Sequence, residues 1–549
     1  MYILGFNGSH DASVCLVKDG RLLGTITKER ITRIKKHNNG NVDSLVNMLL
    51  ARFEVHIEDI RYVSFCDDII PGDSNNLKVL EHNDKNYFRV NNGISPQAQT
   101  CSNIVGTGTA THELFDLTLP SRHTKGCQVG HHLGHGSYSF FTSPFEKAVI
   151  LSLDGSPHDY CRWMTGNKRG IKLFDFDQIH VNILYDRVAS GLLNEIAIYS
   201  AGKMMGMASY GDLLPTFKYD YEAFNHNDFL AIEGSLIYKL ERTFTNKMNV
   251  AHTIQHIFEN VIVDSLNKLP DKLVKEHDYN LCLSGGSFLN CNVNTLIKRN
   301  TKFKNIHISP ACGDDGLSVG SALYVAHTIL GYPREEYTNK DLMYSGSNYS
   351  IPKIENTMPY NADFIASEIA KGKIVALYQG SSEFGPRALG NRSILADPRC
   401  PKMRDYLNNE VKKREWYRPY GASVLEDHTS EWFDWDGPSP FMLFTCQVKK
   451  PDLVPAITHV DGSCRIQTVN TETNNRFYEI ISEFYKQTGV PLLLNTSFNT
   501  SSEPIVETPE DALKTFNNMK INILVMEDRV LIKDADLVSS SHRARKVNL

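Results

Sequence analysis

The sequence predicts an α/β protein, and three observations predict it. Short apolar runs repeatedly end in a glycine-containing polar or acidic loop: Tyr2–Phe6 into Asn7-Gly-Ser-His10, Ala148–Leu153 into Asp154-Gly155, Leu281–Ser284 into Gly285-Gly286, and Ile306–Ser309 towards Gly313-Asp-Asp-Gly316. The last two lead into helical periodicity, from near Ser287 and from about Leu317 to Ile329, and strands that alternate with helices build α/β sheets. At 549 residues the chain also exceeds what a single hydrophobic core can organise, so two or more large domains are expected.

Taken in order, Tyr2–Phe6, Ala12–Lys18 and Arg21–Glu29 are separated by a polar glycine loop and by the turn pair Asp19-Gly20, which reads as consecutive hairpin strands. The strand with an acidic end at Ala148–Gly155 repeats the logic of the opening, so a duplicated nucleotide-binding architecture is expected, although no repeat is visible in the letters. This α/β domain is expected over residues 1–345. Residues 346–356 carry Ser, Asn and Pro with no period and read as a linker. A second domain, 357–538, should contain a helix at Ala362–Ala370, a strand at Ile374–Tyr378, an arginine-rich loop, a helix at Met403–Lys412 and a strand at Pro491–Leu494. The tail 539–549 is polar and basic and is expected to be flexible.

Composition narrows the function. A net charge of −5 gives no case for nucleic acid or a membrane surface as partner, and the eleven cysteines show no C-x-x-C spacing, so they read as reduced thiols of a cytoplasmic protein. No apolar run reaches the roughly 18 residues needed to span a bilayer.

The chemistry concentrates in a few places. Gly380–Arg399 packs Arg387, Arg392 and Arg399 with Glu383 and several glycines, a composition suited to holding anions because guanidinium forks match phosphate and carboxylate oxygens. His131 and His135 stand four apart, on one face of a helix and within reach of one cation. The residue between them that would make a metalloprotease H-E-x-x-H is His132, so peptide hydrolysis is disfavoured. Asp154 and Asp314 lie at strand ends, where ligands of open α/β sheets gather. Two histidines with two aspartates make a mixed N/O set suited to iron, zinc or manganese. In the segment 411–420, Trp416-Tyr-Arg-Pro-Tyr420 interleaves aromatic with basic residues, unlike a plain solvated helix end.

The run Glu383-Phe-Gly-Pro-Arg-Ala-Leu-Gly-Asn-Arg-Ser-Ile-Leu-Ala-Asp-Pro-Arg399 resembles the signature of the NodU/CmcH-type O-carbamoyltransferases. Gly5–Ser13, Glu29-Arg30, Lys36-His37, the His131/His135 pair, Asp154-Gly155, Gly202–Gly206, Ser284–Gly286 and Gly313–Gly316 are similar to the tRNA threonylcarbamoyl transferase (TsaD-like) branch of the actin/sugar-kinase/heat-shock-ATPase superfold. The rear half resembles a YrdC-like α/β domain. The resemblance covers about residues 1–530.

It implies an ATP-dependent O-carbamoyltransferase that makes carbamoyl adenylate from carbamoyl phosphate and ATP, with Mg²⁺, and passes the carbamoyl group to a hydroxyl of a small molecule, a secondary metabolite or sugar. The alternative is a tRNA threonylcarbamoyl-transferase-like enzyme, for which a basic docking surface would be expected. The resemblance further implies His10 as the base that deprotonates the acceptor. It makes His131, His135, Asp154 and Asp314 the ligands of iron, or of zinc or manganese, with Asp314 preferred to its neighbour Asp315 through the pattern G-D-x-G. Lys36, Lys203, Gly285, Gly286 and Asn290 would contact the nucleotide in the first domain. Arg387, Lys412, Arg418, Arg465, Asn495 and Ser497 would contact ATP and carbamoyl phosphate in the second. Ser381, Pro157, Ser209 and Gly421-Ala422 depart from the family pattern. Acceptor choice is expected in the loops Asp67–Thr107 or Asp212–Asp228, and a homodimer is an allowed assembly.

Overall fold

The opening hairpins form as β1 (Tyr2–Asn7), β2 (Ser13–Lys18) and β3 (Arg21–Thr27), apolar runs of which β1 and β2 are buried almost throughout, with the Asp19-Gly20 turn joining β2 to β3. The computed structural model describes residues 1–8, 10–37, 42–67, 89–90, 112–118, 123–155, 160–214 and 244–533. Most of the loops Asp67–Thr107 and Asp212–Asp228, together with Pro157 and the tail 539–549, lie outside the described residues.

With β4 (Ile60–Asp67), β5 (Arg89–Val90), β6 (His112–Thr118) and β7 (His123–Gly130), the first sheet runs in the order β3-β2-β1-β4-β7-β6-β5. Here β2 is antiparallel to both neighbours, while β1, β4 and β7 run parallel. The second sheet repeats this plan with β8 (Ala148–Leu153), β9 (Cys161–Asn167), β10 (Gly170–Phe174), β11 (Asn280–Ser284) and β12 (Asn305–Ile308), in the order β10-β9-β8-β11-β12. Again the first strand is flanked by two antiparallel strands on one side and two parallel strands on the other. The expected duplication is present in topology alone, and it is the plan of the actin and sugar-kinase superfold.

Two helices carry the packing between elements of these sheets. His131–Phe141 lies against β8, β9 and β11, Leu317–Tyr324 lies against β1, β2 and β4, and the two pack on each other. Nearly every residue of both is buried, as expected for helices with no polar face. Their crossing is backbone to backbone: a Cβ on Gly320 would sit 1.9 Å from the carbonyl oxygen of Gly134. The expected helix to Ile329 continues as a widened turn, Val325–Ile329. The helix Asp43–Arg52 buries Leu45, Val46, Leu49 and Leu50 in a cluster with Phe6, Val14 and Leu16 of the first sheet.

A third, nine-stranded sheet comprises β13 (Met358–Pro359), β14 (Val375–Tyr378), β15 (Arg392–Ala396), β16 (Gly421–Leu425), β17 (Phe444–Gln447), β18 (Ser463–Val469), β19 (Leu492–Ser497), β20 (Ile523–Met526) and β21 (Arg529–Ile532). Its order is β13-β21-β20-β14-β15-β19-β16-β18-β17. The helix Thr471–Thr488, capped by Asn470 and closed by Gly489 in a left-handed conformation, places Phe477, Ile480, Ile481 and Phe484 into its core. The expected helix Met403–Lys412 is present, α-helical over Met403–Tyr406 and widening to a π-helix over Leu407–Lys412, which buries Asn408 and Lys412.

The chain forms two compact units. One holds Met1–Ile183, Val261–Leu289 and Ile297–Thr338, and with them the first two sheets; the other holds Leu184–Asn260, Asn290–Leu296 and Asn339–Leu549, and with them the third. Among the described residues no helix is long and apolar enough to cross a membrane.

Candidate active site

In the first unit, strand ends and helix starts bring ligand-type side chains to one point. β7 ends at Gly130 and the buried helix begins at His131, so His131 and His135 project from its first turns. Asp154 follows the last residue of β8, and Asp314 opens the turn that leads into Leu317–Tyr324. One donor atom from each of His131, His135, Asp154 and Asp314 lies within 4.8 Å of all the others.

The Nε2 atoms of the two histidines are 3.2 Å apart, and His135 Nε2 is 3.4 Å from carboxylate oxygens of both Asp154 and Asp314. Ligands at the corners of a tetrahedron with bonds of about 2.0–2.2 Å stand roughly 3.3–3.6 Å apart, so this donor set fits a metal ion. The backbone holds it in place. Asp154 accepts from the amides of Gly155 (2.7 Å) and Gly286, and its carbonyl accepts from Asn182 (2.7 Å). Asn7 donates to the Asp314 carbonyl at 2.8 Å. His132, between the two ligand-type histidines, is buried with Nδ1 2.8 Å from Ser152 Oγ and acts in the core.

His10, in the loop after β1, joins this group. Its Nε2 is 3.4 Å from Asp314 Oδ2 and its Nδ1 is 3.1 Å from Asp11 Oδ2. Burial works to lower the His10 pKa, but Asp11 and Asp314 outweigh it and raise it to about 9. The Lys36 ammonium donates to the same Asp11 oxygen at 2.5 Å. Burial opposes the Lys36 charge, yet Asp11 holds its pKa above the ordinary value. Asp314 is likewise kept ionised against burial by His131, His135 and His10. Asp315 is pushed the other way, to about 7, by burial and by Asp11. Asp314 thus converges with the other donors, while Asp315 sits in the field of Asp11, Lys36 and Glu29.

Gly285 takes a left-handed φ of 98°, and a Cβ there would come within 2.2 Å of the Leu153 carbonyl oxygen, so β11 can pass close to β8 only with glycine. Its neighbour Gly286 then presents its amide to Asp154.

Lys203 and Asn290 fall in the second unit. Lys203 bridges Glu195 (2.7 Å) and Glu415 (2.7 Å). Asn290 exchanges amide hydrogen bonds with Gln255 at 3.0 and 3.1 Å. Arg418 lies 3.5 Å from Glu415, and its pKa is lowered to about 10 by burial and by Arg414, with Arg465 adding to the effect, so several cations share this region. Lys412 is buried and donates to the carbonyls of Ser497 (2.6 Å) and Asn499 (2.7 Å) and to Asn499 Oδ1 (2.9 Å). Ser497 Oγ is 3.3 Å from the same ammonium.

The arginine-rich loop is less open to anions than its composition suggests. Arg392 is fully buried, donates to the carbonyls of Gln379 (2.7 Å), Asn391 (3.1 Å) and Gly380 (3.1 Å), and stacks 3.7 Å over the Tyr378 ring. Arg399 forks onto Asp397 at 2.7–3.1 Å. These two brace the loop, because buried carbonyls and a buried carboxylate need donors. Arg387 approaches Cys291 Sγ at 3.9 Å. Glu383 Oε1 accepts from the amides of Leu389 (2.9 Å), Asn391 (2.9 Å) and Arg392 (3.0 Å), so the signature glutamate organises backbone.

Reading the sequence by motif gave no role to Asp11, although it stands next to His10, nor to Ser423 and Gln467, which bond Asn495 from strands where a single polar letter carries no signal.

Residues 2–323 match the family described as Carbamoyltransferase N-terminus, and residues 366–533 match Carbamoyltransferase C-terminus. The chain is 30% identical to the Uncharacterized protein sll1178 of Synechocystis over 97% of each chain. It is 30% identical to the Nodulation protein NolNO of Sinorhizobium fredii over 95% of this chain and 79% of that protein. It is 32% identical to the Nodulation protein NolO of Bradyrhizobium diazoefficiens over 72% of this chain and 78% of that protein. Among solved structures, HypF of T. kodakarensis aligns with 62% of this chain and 49% of that one at 12% identity and a TM-score of 0.34. With both halves matched in order and the metal-type donors gathered at the strand ends of the first, the chain belongs to the carbamoyltransferase family.

Proposed function

We propose that this protein is an ATP-dependent O-carbamoyltransferase. Carbamoyl phosphate is hydrolysed to carbamate and phosphate, carbamate attacks the α-phosphorus of ATP, and pyrophosphate leaves to give carbamoyl adenylate. An acceptor hydroxyl then attacks the carbamoyl carbon and AMP departs. The acceptor is a small hydroxylated molecule, a secondary metabolite or sugar. Support comes from four ligand-type donors gathered beside His10, 3.4 Å from Asp314, in a chain that matches both halves of the family; this observation carries the reading.

His131, His135, Asp154 and Asp314 would hold iron, zinc or manganese, which supplies Lewis-acid polarisation of the carbamoyl carbonyl. His10 takes the acceptor proton. Asp314 committed to a cation would no longer hold the His10 proton, which leaves the imidazole able to accept one. Asp11, fixed by Lys36, orients the ring from its Nδ1 side. Within the first unit Gly285 and Gly286 would border the adenosine, with Lys36 as a further nucleotide contact. In the second unit Arg387, Lys412, Arg418, Arg465, Asn495 and Ser497 would contact ATP with Mg²⁺ and carbamoyl phosphate, the cations offsetting phosphate charge.

The test is incubation with ATP, carbamoyl phosphate and a panel of hydroxylated metabolites, read by mass spectrometry. The expected result is a product heavier by one carbamoyl unit, with AMP in equal amount. Carbamoylated product formed without ATP, or no AMP release that depends on carbamoyl phosphate, would overturn the reading.

A further inference from the structure

The helix Ala197–Ala208 lies along the segment 415–420, and both belong to the second unit. At the C-terminal end of the helix the two are held in register. A Cβ on Gly206 would sit 3.1 Å from Pro419 Cδ, His459 Nε2 donates to the Gly206 carbonyl at 3.1 Å, and Tyr210 meets the Trp416 ring edge-on at 5.0 Å. Lys203 stands three residues before Gly206 and therefore on the same helix face. Its ammonium is 2.7 Å from Glu415 Oε1 and donates to both oxygens of Glu195 at 2.7 and 2.8 Å.

Glu415 serves two cations. One oxygen takes Lys203, and the other lies 3.5 Å from an Arg418 nitrogen. Burial opposes the charge on Glu415, yet Lys203, with Arg418 behind it, holds its pKa below the ordinary value. Arg418 stands among like charges: burial, then Arg414, and also Arg465 draw its pKa down to about 10, while Glu415 works against them. Because Arg418 is one of the cations offered to ATP, an arriving phosphate oxygen and Glu415 seek the same guanidinium. Two anions on one guanidinium repel each other, so one must yield. Glu415 can yield without losing its partner, since Lys203 already holds its other oxygen.

We propose that Glu415 is a built-in competitor for the nucleotide phosphates, which pairs with Arg418 until ATP arrives and then passes wholly to Lys203. Lys203 is a positioning residue that acts through Glu415 by drawing it aside. ATP binding thereby tightens the clasp between the helix Ala197–Ala208 and the segment 415–420, because the displacement that frees Arg418 leaves Lys203 with an undivided partner. The inference rests on the proposed use of Arg418 for ATP and adds what sets the affinity of that site.

The experiment measures the dissociation constant of ATP with Mg²⁺ by isothermal titration calorimetry on the full-length protein, without carbamoyl phosphate. Glu415→Gln keeps the shape and removes the charge. It should bind ATP about tenfold more tightly, the scale of one like charge removed at about 6 Å in a half-exposed site. Lys203→Met should bind ATP about fivefold more weakly, because Glu415 is left to Arg418 alone. Lys203→Arg, which keeps the clasp, should match wild type. In the double variant the Lys203→Met loss should vanish, with affinity within about twofold of Glu415→Gln.

Weaker or unchanged binding in Glu415→Gln would overturn the inference. So would an equal loss from Lys203→Met with and without the Glu415 charge, which would make Lys203 a direct phosphate contact. If Glu415→Gln does not fold, the two lysine variants still decide, since equal affinities in Lys203→Met and Lys203→Arg would overturn it as well. If wild type does not bind ATP, the proposed function itself fails, a result distinct from a wild type that binds ATP and variants that bind it equally.

Discussion

Asp314 shows how much one side chain can be asked to do: His10, His131 and His135 all approach its oxygens at 3.4–3.7 Å. Asp154 is simpler, since both its oxygens already accept backbone amides. In Asp154→Asn the NH₂ would face one of those N–H groups and a negative charge would be lost. Bound metal, measured by elemental analysis after purification, should drop from about one ion per chain by 10-fold or more. His10→Ala should slow transfer from supplied carbamoyl adenylate about 10²–10⁴-fold and leave pyrophosphate release unchanged. Equal loss of both steps would remove His10 from the role of base. At this scale the ligand-type residues were legible, because i, i+4 histidines and aspartates at strand ends obey periodicity and topology that letters record. The partners of Arg392 and Arg399 were not, since a carbonyl or a nearby carboxylate consumes a guanidinium without marking the sequence.

The two buried helices are the elements on which the first site depends. Each carries ligand-type residues at its start, and they touch where Gly134 meets Gly320. Gly320→Ala would drive a methyl group into the Gly134 carbonyl, and overpacking of this kind should cost about 3 kcal/mol in a urea unfolding curve. An unchanged midpoint would mean that the helices can part without penalty. The helix from Leu317 was legible through its boundaries, because a strand, a glycine-acid loop and a small-residue run follow one another. The widened turns at Val325–Ile329 and Leu407–Lys412 were not, since a change in hydrogen-bond step leaves residue type untouched.

Across the molecule, three buried histidines make stability sensitive to acid. His112, His327 and His459 are each 7% exposed, and burial holds each below the ordinary value of 6.5. They are neutral in the folded chain, so as pH drops below 6.5 the unfolded chain takes up protons that the folded chain does not. The contribution of these three groups should be flat above that pH and fall below it, by about 1.4 kcal/mol per pH unit for each group until its folded pKa is reached, while Asp315, raised to about 7, contributes in the opposite direction. In thermal melts from pH 8 to 5, His327→Gln should therefore lose less stability than the wild type below pH 6.5; identical slopes would exclude His327 as a contributor. The order of the two halves could be read in the letters because their motifs are local. The interleaving of the units could not, since long-range packing has no compositional signature.

That interleaving sets a limit on how the protein can be divided. The chain passes from one unit to the other after Ile183, Asn260, Leu289, Leu296 and Thr338. No single scission therefore yields two self-sufficient pieces. Shuffling the front of one such enzyme onto the rear of another at one junction would strand Leu184–Asn260 beside a foreign partner, so recombined hybrids should require several coordinated exchanges before they become productive.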